Sequence, residues 1–318
     1  MSTTSKPPKA LLFDIGGVCV VSPFQAILDY ETAHGIPPGW VNFSISRSAP
    51  NGAWQRLERG EIPLDAAYFA AFGADLGKEA LWREYYGRAL QKGYTTAAAS
   101  DSSASASASA SPPSPGSSTV MPTHPSSAAI PPVPRIDAEA LFWLMMSISR
   151  TPDPYMYPAL RRLRASGRYL LAALSNTVIF PPDHPYSNPT EAEAARDVRA
   201  LFDVFVSSAH VGLRKPDPRI YALAMQRLRD FAGRMRPAVE GEGAQSAALE
   251  AAEVVFLDDI GENLKAARAV GMRTIKVHLG RTKEAVRELE EITGLRLLEE
   301  EEEEQEGKGG AAGRGSKL

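Results

Sequence analysis

The chain has 318 residues, 44% hydrophobic and 8% aromatic, which suits one large domain or a core with a smaller lid. Its net charge of -3 leaves no basic footprint and argues against a nucleic-acid partner. No apolar run reaches the roughly 18 residues of a membrane span, and the single Cys19 cannot form an internal disulfide, which fits a reducing compartment.

Residues 1–9 are polar, with two prolines and no apolar segment, so they do not read as a secretory signal. Residues 11–13 form a short buried-strand candidate, closed by Gly16 and Gly17. Asp14 ends that strand. A carboxylate there needs a cationic partner or a chemical task; it can attack an electrophile or cap a turn. Between Pro23 and Tyr94 the pattern turns helical. Trp54, Leu57 and Glu61 share a helical spacing, residues 66–72 and 81–90 form further helices, and Gly35, Pro37, Pro38 and Gly73 act as breaks. Residues 95–134 are rich in Ser, Ala and Pro and are expected to be disordered, having almost no large apolar residue to offset the ordering entropy. A helix at 137–148 rejoins the helical group. Residues 21–94 and 135–150 thus form a small cap inserted after the first strand.

Beyond Pro152 and Pro154 strands and helices alternate. Helices are expected at 158–165, 192–201, 219–231, 262–270 and 283–293, and strands at 169–174, 204–207, 254–257 and 274–277. Residues 236–248 form a polar insert. This alternation predicts an α/β fold, a doubly wound parallel sheet with helices on both faces, built from residues 9–20 and 155–298. The tail, 299–318, opens with an acidic run at 299–304, read as solvated. It closes on Ser316-Lys317-Leu318 after a Gly/Ala-rich stretch. That tripeptide is a peroxisomal address, so a peroxisomal import receptor is an expected partner and the peroxisomal matrix the expected location, with the cytoplasm as the alternative.

Such sheets bind ligands beyond the carboxyl ends of their strands. Asp14, Ser175-Asn176, Lys215 and Asp258-Asp259 all lie at or past such ends. Ser175 offers a hydroxyl and Asn176 a backbone N–H, which together can hold phosphate oxygens. Pro216 biases Lys215 towards extended backbone, from which its ammonium can neutralise Asp14 and a transferring phosphoryl group; a surface lysine before a helix is the alternative. Asp258 and Asp259 repel each other unless a cation lies between them. Oxygen donors without a His/Cys cluster point to Mg²⁺ over zinc. The Gly16 carbonyl lies close to the same site, and a hard cation accepts backbone oxygen. Asn263 is expected to cap the following helix or to orient the acids, capping being favoured.

These blocks resemble the haloacid dehalogenase-like hydrolase superfamily. More narrowly, residues 51–62, 211–218, 254–271 and 292–295 resemble the N-terminal phosphatase domain of soluble epoxide hydrolase and the related N-terminal domain of acyl-CoA dehydrogenase family proteins. The resemblance implies a Rossmann-like core with a helical cap. It also implies a Mg²⁺-dependent phosphatase that acts on a small-molecule or lipid phosphate through an aspartyl-phosphate. By position it makes Asp14 the nucleophile and a metal ligand, and Gly16 a ligand through its carbonyl. Ser175 and Asn176 hold phosphate, Lys215 stabilises charge, and Asp259 is the direct metal ligand with Asp258 close behind. It does not extend to an α/β-hydrolase domain, so it implies no epoxide hydrolysis. The departure is Gly16, where the family has an aspartate that protonates the leaving group and activates water. Losing such help costs about 10² to 10⁴ in rate. A catalytically inactive binding or scaffold protein is therefore the alternative, and a dehalogenase, which needs no such proton, is a third reading.

Overall fold

The computed structural model describes residues 7–93, 130–235 and 249–299. The polar insert at 236–248, the tail beyond residue 299 with Ser316-Lys317-Leu318, and residues 94–129 lie outside the described residues.

Strand β1, Ala10–Phe13, is apolar at every position and buried on both faces, as a central parallel strand requires. The chain then leaves the sheet. Helix α1, Pro23–Ala33, starts on Ser22, whose hydroxyl accepts from the Phe24 N–H. Next come α2, Trp40–Ser48; α3, Ala53–Glu58; α4, Ala66–Leu76; α5, Glu79–Gln91; and α6, Ala138–Ile148. Asp65 and Asp137 cap α4 and α6 by accepting from the N–H groups of Tyr68 and Ala140. These helices enclose their own core of Trp40, Leu57, Tyr68, Phe72, Trp82 and Phe142, separate from the cores on the sheet.

The rest of the chain builds the sheet. In order come α7, Met156–Ser166; β2, Leu170–Ser175; α8, Glu191–Ala194; β3, Val204–Ser207; α9, Ser208–Val211; α10, Pro218–Met235; β4, Val254–Asp258; α11, Gly261–Ala269; β5, Arg273–Lys276; and α12, Thr282–Thr293. All strand pairs are parallel, in the order β3-β2-β1-β4-β5. The sheet is the doubly wound one read from the sequence, because successive strand side chains point to opposite faces. Leu11, Phe13, Leu171, Val255 and Leu257 pack on α7 and α12. Ala10, Leu12, Ala172, Leu174 and Phe256 pack on α10 and α11. Among the described residues no helix is long and apolar enough to cross a membrane.

Four local expectations are corrected. Gly73 does not break a helix. It lies inside α4, where an added Cβ would make only an ordinary contact, 3.6 Å, with the Ala138 methyl. Helix α3 stops at Glu58, so Glu61 is not on it. The helix expected over 192–201 is split into α8 and a 3₁₀ turn, Val198–Leu201, because Asp197 accepts from the Arg199 N–H and starts a second turn. The expected structureless insert does not extend to Pro134. Pro131 accepts a hydrogen bond from the Trp82 indole at 2.7 Å, and Val133 packs on the cap core.

Candidate active site

β1 is the strand from which the chain order runs both ways, to β2 and β3 on one side and β4 and β5 on the other. In such a sheet the crevice forms at that switch point. Asp14 sits there, its N–H donating to the Leu257 carbonyl of β4 at 2.9 Å. Its Oδ1 accepts from the Ile15 N–H at 2.7 Å and from Lys215 Nζ at 2.8 Å. The same Nζ reaches Asp258 Oδ2 at 2.7 Å. A lysine only 1% exposed therefore bridges two buried carboxylates.

Each of these groups is held from behind. The Lys215 N–H donates to Asn176 Oδ1 at 2.8 Å, and Asn176 Nδ2 donates to the Lys215 carbonyl at 3.2 Å. This reciprocal pair ties the end of β2 to the lysine loop. Asp258 accepts from the Ile260 N–H at 2.7 Å and from Asn263 Nδ2 at 3.1 Å on both oxygens. Asn263 therefore orients the acid and does not cap α11, whose N-cap is Ile260 without a side-chain bond. Asp259 is half-buried and leans over Gly17. A Cβ on Gly17, whose φ is +76°, would lie 2.4 Å from Asp259 Oδ2, so only glycine fits.

Asp14, Asp258 and Asp259 each offer an oxygen within 4.8 Å of the other two. Burial pushes the Asp14 carboxyl up to about 8; Lys215 opposes the shift, while Asp258 and Asp259 add to it. Burial and then Asp258 push Asp259 up to about 6. Burial pulls Lys215 down, but attraction to Asp14 and Asp258 outweighs it, so the ammonium stays charged. Three carboxylates facing one ammonium form an all-oxygen, negatively charged cluster, the donor set a hard divalent cation such as Mg²⁺ takes. The oxygens of Asp258 are already engaged by Lys215, Asn263 and the Ile260 N–H, whereas Asp259 borders the open cavity.

That cavity holds about 1100 Å³ between sheet and cap. Asp14, Gly16, Asn176, Lys215 and Asp259 line it from the strand ends; Phe24, Ile27, Ile45, Trp54 and Met145 line it from the cap, together with polar cap residues such as Asn42, Gln55, Glu58 and Arg59. Ser175 lies at the end of β2, buried, with its hydroxyl donating weakly to the Asn176 carbonyl at 3.4 Å. In the cap, Trp54 lines the cavity, Tyr68 is buried in the cap core and Arg56 is exposed. Sequence reading missed Glu58, which lines the cavity from α3 and takes Arg214 Nε at 2.7 Å on Oε2. The Trp54/Glu58 spacing on one helix face was the available signal; a partner 156 residues away was not.

Residues 8–271 match the family described as haloacid dehalogenase-like hydrolase. Among curated relatives, acyl-CoA dehydrogenase family member 10 of Mus musculus is 29% identical over 290 residues, 91% of this chain and 19% of that protein. Bifunctional epoxide hydrolase 2 of Sus scrofa is 38% identical over 110 residues, 35% of this chain and 16% of that protein. Sesquiterpene phosphatase astK of Aspergillus oryzae is 31% identical over 143 residues, 45% of this chain and 58% of that protein. The chain thus spans under a fifth of the length of the first two. With the sheet order, the inserted cap and the carboxylate–lysine cluster at the strand ends, the match places the chain in one family: it is a haloacid dehalogenase-like hydrolase.

Proposed function

We propose that the protein is a Mg²⁺-dependent phosphatase acting on a small-molecule or lipid phosphate monoester through an aspartyl-phosphate at Asp14. The observation that carries this reading is Asp14 itself: a buried carboxylate at a strand end, fixed by Lys215 and facing the cavity between sheet and cap. Asp14 attacks phosphorus, the alcohol leaves, and water then cleaves the acyl phosphate. Lys215 balances charge at the nucleophile and, through Asp258, is held in line. The Asn176 backbone N–H binds a phosphate oxygen, and the Ser175 hydroxyl joins it by rotating off a contact too long to hold it.

Asp14, Asp259 and the Gly16 carbonyl would hold Mg²⁺, with Asp258 behind them. The cation supplies charge neutralisation at the phosphoryl oxygens. The apolar residues among the cap lining, Phe24, Ile27, Ile45, Trp54 and Met145, favour an ester with a hydrocarbon portion, and a relative named as a sesquiterpene phosphatase agrees with that preference. Gly16 gives the leaving group no carboxylic acid, so esters with poor leaving groups react slowly.

The test is phosphate release by the purified chain with and without Mg²⁺, beside Asp14→Asn. Mg²⁺-dependent release by the parent and none by the variant is expected; equal rates in the two refute the reading. Gly16 also favours a second reading, a protein that binds phosphate and Mg²⁺ without turnover. Saturable binding of both with no release over a broad ester panel would select it.

A further inference from the structure

Helix α3 and the turn that follows it lie against the core at three points. Glu58 Oε2 accepts from Arg214 Nε at 2.7 Å. The Glu58 carbonyl accepts from the buried Ser208 hydroxyl at 2.6 Å. Gly60, with φ +65°, rests on the Ala209 carbonyl so closely that a Cβ would lie 2.3 Å from that oxygen. Two of these contacts converge on one residue, and each leads on to a loop of the phosphoryl-transfer site.

Arg214 directly precedes Lys215. Ser208 Oγ accepts from the Thr177 N–H at 2.8 Å, and Thr177 directly follows Asn176. The two loops then meet in the reciprocal bonds between Asn176 and Lys215. A ring of contacts therefore runs from Glu58 through Arg214 to Lys215, across to Asn176, and back through Thr177 and Ser208.

This ring closes only with the cap docked. Glu58 is 6% exposed, so undocking must bring both its carboxylate and the Arg214 guanidinium back to water or leave one charge buried and unpaired, which is strongly unfavourable. The Ser208 hydroxyl has one hydrogen to give. Without the Glu58 carbonyl its other acceptor within reach is the Thr177 carbonyl at 3.4 Å, a longer and weaker bond on the very loop that must hold phosphate. The docked cap thus braces both loops, and undocking would release them.

We propose that Glu58 is a positioning residue for phosphoryl transfer: docked on Arg214 and Ser208, it sets the backbones of Lys215 and Thr177 so that the lysine and anion-holding loops are in register only when the cap is shut. The proposal rests on the phosphatase reading for its kinetic arm and on geometry alone for its exchange arm.

The experiment uses the full chain with Mg²⁺ and p-nitrophenyl phosphate, an ester much smaller than the cavity of about 1100 Å³. Glu58→Ala is expected to lower kcat by about tenfold to 100-fold, the effect of displacing reacting groups by up to about 1 Å, while KM stays within about twofold. Glu58→Gln keeps an acceptor for Arg214 Nε and recovers most of the lost kcat. Gly60→Ala pushes α3 off Ala209 without changing a charge and reproduces the kcat loss. In parallel, hydrogen exchange at the Thr177 and Lys215 amides rises by about tenfold in Glu58→Ala, while α10 amides keep their protection. Unchanged kcat, a change confined to KM, or unchanged exchange at those two amides overturns the proposal. If the parent chain releases no phosphate, the phosphatase reading falls and the exchange arm alone decides the positioning role. If Glu58→Ala does not fold, Gly60→Ala and Glu58→Gln carry both readouts.

Discussion

Gly16→Asp tests whether the site lacks only a proton carrier. The backbone accepts the change: φ at Gly16 is not in the left-handed region, and a Cβ built there meets only the Pro23 ring, at 3.4 Å from Cδ and 3.9 Å from Cγ. Both are ordinary contacts. Gly17 next door is the opposite case, closed by Asp259 and by its φ of +76°. The new carboxyl borders the same cavity as Asp14 and Asp259. Repulsion by the acidic cluster favours its protonated form, the form that can donate to a departing oxygen.

General acid–base help is worth about 10² to 10⁴ in rate, or about 2.7 to 5.4 kcal/mol off the barrier at about 1.4 kcal/mol per factor of ten. The gain should sit at the lower end, because the added carboxyl also competes for the charge of Lys215. It should also depend on the leaving group. An alkoxide needs a proton to depart, whereas p-nitrophenolate does not. The assay is kcat/KM for an alkyl phosphate and for p-nitrophenyl phosphate at saturating Mg²⁺. An increase of about 100-fold on the alkyl ester and under about tenfold on the aryl ester is expected. Equal gains on both, or no gain on the alkyl ester by a variant that keeps its Tm and Mg²⁺ affinity, refute the reasoning.

Lys215→Met removes the ammonium buried between Asp14 and Asp258, and breaking such a pair costs about 3–5 kcal/mol; thermal unfolding should show a lower Tm that added Mg²⁺ raises more than it raises the parent's. Asn263→Ala leaves Asp258 without its side-chain donor, and Mg²⁺ affinity by calorimetry should weaken about 10- to 100-fold, as for other groups that orient ligands. Gly17→Ala forces a methyl against Asp259 at a left-handed φ and should cost about 1 kcal/mol or more in denaturant unfolding.

The core was legible because strands β1, β2 and β4 are short, apolar up to the polar residue that stops them, and stopped by a residue with chemistry. Strand β3 matches its expected range, β1 and β4 differ by a residue at one end, and β2 and β5 by a residue at both ends. Asp14, Lys215, Asp258 and Asp259 could be grouped because strand polarity alone sends them to one edge. What sequence could not show is which partner each group takes. Asp258 and Asp259 are neighbours in the chain, yet one is engaged by Lys215 and Asn263 and the other faces the cavity. Asn263 sits where a helix cap would sit, and only the direction of its amide separates the two roles. In the cap, Gly73 reads as a breaker because a glycine inside a helix leaves the same mark in the sequence as one in a turn.

The insertion point of the cap links these levels. The chain leaves the sheet just past Asp14 and returns just before α7, and the two crossings pair with each other. The Val21 N–H donates to the Thr151 carbonyl at 2.9 Å, and the Asp153 N–H donates to the Cys19 carbonyl at 3.0 Å. Cys19 Sγ in turn donates to the Asp14 carbonyl at 3.1 Å. The cap therefore hangs from the sheet within a few residues of Asp14, while Trp54 and Glu58 line the cavity from farther along it. A lid turning about such a hinge would displace those two residues more than Asp14, the division of labour a lidded site needs if chemistry and substrate entry are to share one cavity.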